Sequence, residues 1–196
     1  MRILVAVPTF ETVMPETFKS IWDSERAGHD VDFICVKGYD CAKARNEIAK
    51  RAQLGFFDYV LMVDSDMVLP KNTLALMTEQ PADLLLGCYP KKGTKDGCVE
   101  LFKDGTNDFE KFWYYRELPE NEPRLSVKGG GFGCAFIRTQ LFFDMPFPWF
   151  KYVTYDNDTV LSEDLYFCDN ARKFGFKIEA DTRIRCGHCY KDFHYE

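Results

Sequence analysis

The chain has 196 residues, 46% hydrophobic and 29% charged, which suffices for the core of one domain and argues against a disordered chain. Its 25 Lys and Arg against 31 Asp and Glu give a formal net charge of -6, so no nucleic-acid partner is expected, although a small anionic ligand accompanied by a cation is compatible. The first apolar run, residues 3–7, ends at Pro8, far short of the about 20 residues of a membrane span, so no transmembrane segment is expected and a cytoplasmic protein is.

That first run reads as a strand buried on both faces. Pro15 opens a helix with Phe18, Ile21 and Trp22 on one face, and Gly28 is expected to stop it. Residues 31–36 make a second strand. Asp40 caps a second helix with Ala44, Ile48 and Ala52 facing inward and Gly55 after its end. A third buried strand, 59–63, runs into Asp64-Ser65-Asp66. Pro70 begins a short helix through Leu74 and Met77, and 83–87 is a fourth strand. The alternation over the first 87 residues predicts an α/β fold, a mostly parallel central sheet flanked by helices. Ligands of such sheets bind beyond the carboxyl ends of the strands, where Pro8, Thr9, the Lys37-Gly38-Tyr39-Asp40 turn and the Asp64–Asp66 pair fall.

The second half has another texture. A Gly/Lys loop covers 88–97, a polar stretch with the aromatic clump Phe112-Trp113-Tyr114-Tyr115 covers 104–124, and a glycine loop, 128–133, precedes an apolar strand at 134–137. Residues 144–158 read as an irregular lid. Ser162 caps a helix bearing Leu165, Cys168 and Ala171 and closed by Gly175. A last strand with Ile178, Ala180, Thr182 and Ile184 alternating delivers Cys186-Gly187-His188-Cys189. The whole, 1–196, is expected to be one domain with two parts of different texture, 1–87 and 88–196.

Asp64-Ser65-Asp66 is the strongest chemical signal. Two carboxylates at the end of a buried strand repel one another, and a divalent cation with hard oxygen ligands relieves that; a merely solvated acidic loop is the alternative. Glu163 and Asp164 open a helix, where acidic residues suit the dipole and where a general base would also be held rigidly. His188 is either a packed histidine or a ligand for a manganese-like ion with Asp66. Arg45 is either exposed or a bidentate phosphate ligand. Gly130 and Gly131 would let backbone approach a sugar or phosphate, or simply form a hairpin. Trp149 and Phe150 suit either an acceptor platform or the core. The eight cysteines lack regular spacing and read as reduced core thiols. Cys186 to Cys189 spells a redox tetrapeptide, but that chemistry needs a thioredoxin domain continuing past it, and seven residues follow; a zinc site would need a distant partner pair that is not evident.

In this order, Val7-Pro8-Thr9, Ala44-Arg45-Asn46, Asp64-Ser65-Asp66, the glycine loop, Ser162-Glu163-Asp164 and His188 resemble the nucleotide-sugar glycosyltransferases of the GT-A fold, family 2 in style. The resemblance implies a Rossmann-like mostly parallel sheet with a small antiparallel second sheet. It implies a metal-dependent hexosyltransferase that moves a sugar from a nucleotide-diphosphate sugar to an acceptor hydroxyl of a glycan, lipid or protein. Asp64 would touch the ribose or donor sugar and share the metal, Mn2+ or Mg2+, with Asp66 and His188. Arg45 would hold the donor nucleotide, Pro8, Thr9 and Glu11 would line its nucleoside pocket, and Asp40 is a weaker candidate for reading the base. Asp164 looks like the base of an inverting enzyme, with Glu163 beside it on acceptor or donor. A late His also occurs in retaining members. Two rival readings use the same residues: a haloacid-dehalogenase-like phosphatase with Asp64 as nucleophile, and a non-catalytic sugar-nucleotide-binding module. A sugar-nucleotide pyrophosphorylase would want a Gly-rich basic loop after the first strand, which Val7-Pro8-Thr9-Phe10-Glu11 lacks.

Overall fold

The computed structural model describes residues 1–38, 40–92, 98–103, 113–115, 118–119, 121–155, 158 and 160–189. Tyr39 of the expected base-reading turn, 93–97 of the Gly/Lys loop, Phe112 of the aromatic clump and most of 104–124 lie outside the described residues.

The first half alternates as expected: β1 (Arg2–Thr9), α1 (Pro15–Trp22), β2 (Asp30–Lys37), α2 (Cys41–Leu54), β3 (Tyr59–Val63), the two-residue β4 (Met67–Val68), α3 (Thr73–Glu79) and β5 (Leu84–Cys88). The rest comprises β6 (Val99–Lys103), β7 (Trp113–Tyr115), β8 (Arg124–Ser126), β9 (Gly129–Gly130), β10 (Cys134–Arg138), α4 (Leu141–Asp144), β11 (Val153–Thr154), β12 (Val160–Leu161), α5 (Glu163–Lys173), β13 (Ile178–Arg185) and β14 (Gly187–His188).

Seven strands form the central sheet in the order β2-β1-β3-β10-β5-β13-β8. Five of them, β1, β2, β3, β5 and β13, share one direction; β10 runs against both β3 and β5, and β8 against β13. The sheet is therefore mixed but mostly parallel. Strands β7, β6 and β9 make the small antiparallel second sheet. Strands β3 and β5 are buried at every position, which is why they read as unbroken apolar runs. One face packs under α2 and α5 with Phe132, Phe142, Phe150 and Phe167; the other packs around Val5, Leu61, Leu74 and Met77. No helix among the described residues is long and apolar enough to cross a membrane.

Several expectations need correction. Helix α1 ends at Trp22, and Gly28 instead takes a φ of 75° in the turn beyond. Its buried side chains are Thr17 and Ser20, with Ile21 partly buried against the core, while Phe18 and Trp22 are 49% and 78% exposed. The reason is local: Thr17 Oγ1 donates to the Ser65 carbonyl at 3.1 Å, and Ser20 Oγ accepts from the Leu69 N–H at 3.0 Å. The Ser20 hydroxyl thereby satisfies the buried Leu69 N–H, and Thr17 adds a second donor to a Ser65 carbonyl that already accepts from Met14 N–H. Helix α3 starts at Thr73, after a turn closed by Thr73 N–H on the Pro70 carbonyl at 3.1 Å. Trp149 and Phe150 are core rather than lid, with Phe150 stacked on Phe167 at a centroid distance of 4.7 Å. All eight cysteines are unbridged, but Cys35 and Cys41 are exposed, so they are not all core thiols. Gly187 and His188 of the redox-like tetrapeptide form β14.

Candidate functional site

Strand β3 ends at Val63, and the chain turns at once, with Met67 N–H donating to the Asp64 carbonyl at 3.1 Å. The turn is anchored from three sides. Asp64 N–H donates to Gly133 O, Met14 N–H donates to Ser65 O, and Cys189 N–H donates to Asp66 O at 2.8 Å. The acidic pair is thus held by backbone from the first helix, the glycine segment and the end of the chain.

Its two carboxylates face different partners. Asp64 Oδ1 accepts from Arg45 Nη2 at 2.8 Å, and Arg45 Nη1 donates to Glu163 Oε1 at 2.5 Å. Arg45 is 2% exposed and lies over the Phe132 ring. It does not reach the cleft as a phosphate ligand would; it joins the acidic turn to the start of α5. Glu163, expected beside the acceptor, is likewise buried, its side chain 7% exposed. Burial pushes its carboxyl above the ordinary range, with Arg45 opposing and Asp164 adding to the rise. Tyr152 also hydrogen-bonds Glu163, and burial first, then Glu163, pushes the Tyr152 hydroxyl up.

Asp66 turns the other way. Pairing of β14 with β4 sets His188 opposite Met67, and His188 Nε2 comes within 3.5 Å of Asp66 Oδ2. Lys92 Nζ lies 2.5 Å from the same oxygen. His188 Nδ1 sits 3.0 Å from the Pro90 carbonyl, which places the Nδ1 proton there and turns Nε2 toward Asp66. Burial pushes the Asp66 carboxyl up, but hydrogen bonds from His188 and Lys92 outweigh it and hold the group low.

Asp164 begins α5 with Glu163. Its Oδ1 accepts from the Ser162 hydroxyl and, at 2.8 Å, from the Leu165 N–H. Ser162 is the N-cap by position, but its hydroxyl goes to Asp164 rather than to a helix N–H. Tyr89, buried in the core, lies close enough to Asp64 and Asp164 that both add to the rise burial imposes on its hydroxyl.

A cleft of about 440 Å³ opens at this end of the sheet, lined among others by Pro8, Thr9, Asp40, Asp64, Asp66 and Tyr152. Asp40 caps α2 as expected, accepting from Lys43 N–H at 2.8 Å. Glu11 is exposed and is not among the residues lining the cleft. Gly130 and Gly131 are buried, not open to a ligand. A Cβ on Gly130 would stand 2.7 Å from the Glu100 carbonyl, and one on Gly131 would stand 2.1 Å from Tyr89 Oη. Packing of the second sheet, rather than an approaching sugar, accounts for these glycines.

Sequence reasoning missed Lys92, Tyr152 and Glu100, and named Asn46 only within Ala44-Arg45-Asn46, without a role. Lys92 follows β5, so the strand-end rule that selected Asp64 would have found it. Asn46 adjoins Arg45, and its side chain ties down Trp149 and Phe150 through three backbone bonds. Glu100 and Tyr152 carry no local signal; Glu100 is seen only by its proximity to Asp164 and His188, with burial pushing its carboxyl up.

No protein-family model matches this chain, and no curated protein matches it significantly. Solved structures do. A197 from STIV superposes with a TM-score of 0.66 at 17% identity, over 97% of this chain and 87% of that one. GalNAc-T7, solved with UDP, GalNAc and Mn2+, gives a TM-score of 0.64 at 12% identity over 96% of this chain. TarS of S. aureus with UDP-GlcNAc gives 0.56 at 18% identity over all of it. The chain shares the fold of these three structures. It spans 43% of the GalNAc-T7 chain and 62% of the TarS chain.

Among the described residues, no three His, Cys, Asp or Glu side chains converge to hold a metal ion, since Asp64 is turned to Arg45. Two donors do converge, Asp66 Oδ2 and His188 Nε2. A hard oxygen and an imidazole whose other nitrogen is fixed by a carbonyl fit a manganese- or magnesium-type ion that takes its remaining ligands from a bound anion and water.

Proposed function

We propose that this chain is a glycosyltransferase that takes a sugar from a nucleotide-diphosphate donor, with residues 1–87 gripping the nucleotide and 88–196 supplying the acceptor side. The observation that carries the reading is the meeting of Asp66 with His188, 122 residues later, beside Asp64 at the mouth of the strand-end cleft. In this reading Pro8, Thr9 and Asp40 line the nucleoside, and Asp64, oriented by Arg45, accepts from a hydroxyl of the ribose or sugar. Asp66 and His188 would hold a divalent cation, which when bound would supply positive charge against the leaving diphosphate. The bond from the anomeric carbon to the diphosphate oxygen breaks through an oxocarbenium-like state, and the acceptor oxygen bonds to that carbon. Asp164 takes the acceptor's proton. Glu163 and Arg45 position Asp64 and the start of α5.

The phosphatase alternative needs Asp64 as nucleophile, yet Arg45 already engages its Oδ1. It also leaves His188 without a role.

The test is a thermal-shift screen of UDP, GDP, CMP and dTDP sugars with and without Mn2+. One nucleotide is expected to raise Tm in the presence of Mn2+; ligand at 100 times its Kd stabilises by about 2.7 kcal/mol. Asp66→Ala should abolish the Mn2+-dependent part of the shift. If no donor shifts Tm with Mn2+, or if the Asp66→Ala shift equals that of the wild type, the proposal fails.

A further inference from the structure

Asp66 Oδ2 is approached by two groups of different character. Its own carboxylate and His188 are held by backbone, Asp66 O accepting from Cys189 N–H and His188 pairing with Met67. Lys92 instead reaches the oxygen from the end of a long side chain that is 56% exposed, against 24% for Asp66. An ammonium is a compact point charge on a flexible stem and can withdraw without disturbing the fold. At 2.5 Å it occupies Oδ2, the oxygen that also faces His188 Nε2 and that a divalent ion held by these two residues would need. Two cations cannot share one carboxylate oxygen at contact without strong repulsion.

We propose that Lys92 is the resident counter-ion of Asp66 and that a divalent cation binds there by displacing it; this exchange rests on the cation site of the proposed function. Lys92 keeps the carboxylate compensated while the cleft is empty of cation, and so weakens cation binding. The displaced ammonium stays tethered at the mouth of the cleft, where the negative charge of a diphosphate would offset it. Cation and diphosphate are therefore coupled, each favouring the lysine position that suits the other.

The test is a calorimetric titration of Mn2+ alone into wild type, Lys92→Ala, Lys92→Arg and Asp66→Ala. Lys92→Ala should bind Mn2+ about fivefold more tightly than wild type, the scale set by a partly exposed ion pair. Lys92→Arg, which restores a cation, should stay close to wild type, and Asp66→Ala should lose the binding. Equal Mn2+ affinity in wild type and Lys92→Ala, with binding still lost in Asp66→Ala, overturns the exchange and leaves the cation site standing. Unchanged Mn2+ binding in Asp66→Ala, or no Mn2+ binding by any of the four proteins, overturns the site and the exchange together.

Discussion

Asp164→Asn is expected to lower sugar transfer by about 10²–10⁴, the usual contribution of a positioned general base, while leaving donor binding intact. Of the two carboxylates that open α5, only Asp164 is suited to the task. Glu163 is buried and bound by Arg45 at 2.5 Å, so it has neither access nor an unoccupied role. Asp164 is fixed by the Ser162 hydroxyl and the Leu165 N–H, both on one oxygen. Asparagine keeps the shape and that acceptor oxygen but has no site for a proton from the attacking hydroxyl. The measurement is release of nucleotide diphosphate from the donor found in the screen, with the Mn2+-dependent thermal shift as the binding control. A rate within twofold of wild type would remove Asp164 from the mechanism. A lost thermal shift would instead make it a binding residue.

Arg45→Ala should cost about 3–5 kcal/mol of stability, because it leaves the buried Glu163 carboxylate and the half-buried Asp64 without their common partner. For a chain of this length that corresponds to a Tm lower by about 10 °C. Arg45→Lys should recover part of the loss, since one ammonium cannot reach both carboxylates as the two guanidinium arms do. The loss should also depend on pH. Burial already holds the Glu163 carboxyl above its ordinary value of 4.5, and Arg45 opposes that rise. Without Arg45 the folded-state value rises further. A carboxyl raised in the folded state adds stability that is present at acid pH and is lost as pH rises through the folded value. The deficit of Arg45→Ala relative to wild type should therefore be large at pH 7 and shrink as the pH falls toward 4.5. Chemical denaturation across that range measures it. A deficit below about 1 kcal/mol at pH 7 would mean that the arginine behaves as an exposed helix residue.

The same arginine shows where reading from the chain stopped. An Arg early in a helix near a strand end looks like a phosphate ligand, because nothing local distinguishes it from one. Its burial depends on Glu163, 118 positions away, and on Phe132 beneath it. Gly130 and Gly131 failed for a similar reason. Their side-chain space is filled by Glu100 of β6 and by Tyr89, just past β5, and no local pattern reports that. Helix α1 was misread because polar Thr17 and Ser20 are drawn inward by carbonyl and N–H groups of the acidic turn, against the hydrophobic pattern of the helix.

What the amino-acid order determined by itself was the alternation of buried strands and helices, the Asp40 cap, and the delivery of Asp64 and Asp66 to a strand end. These follow from short-range rules: continuous apolar runs, capping side chains and turn residues. Only the tertiary structure decided how the carboxylates divide, Asp64 to Arg45 and Asp66 to His188 and Lys92. That division depends on the antiparallel insertion of β10 between β3 and β5 and on the pairing of β14 with β4. Charges meet across such pairings over distances in the chain that no local propensity encodes.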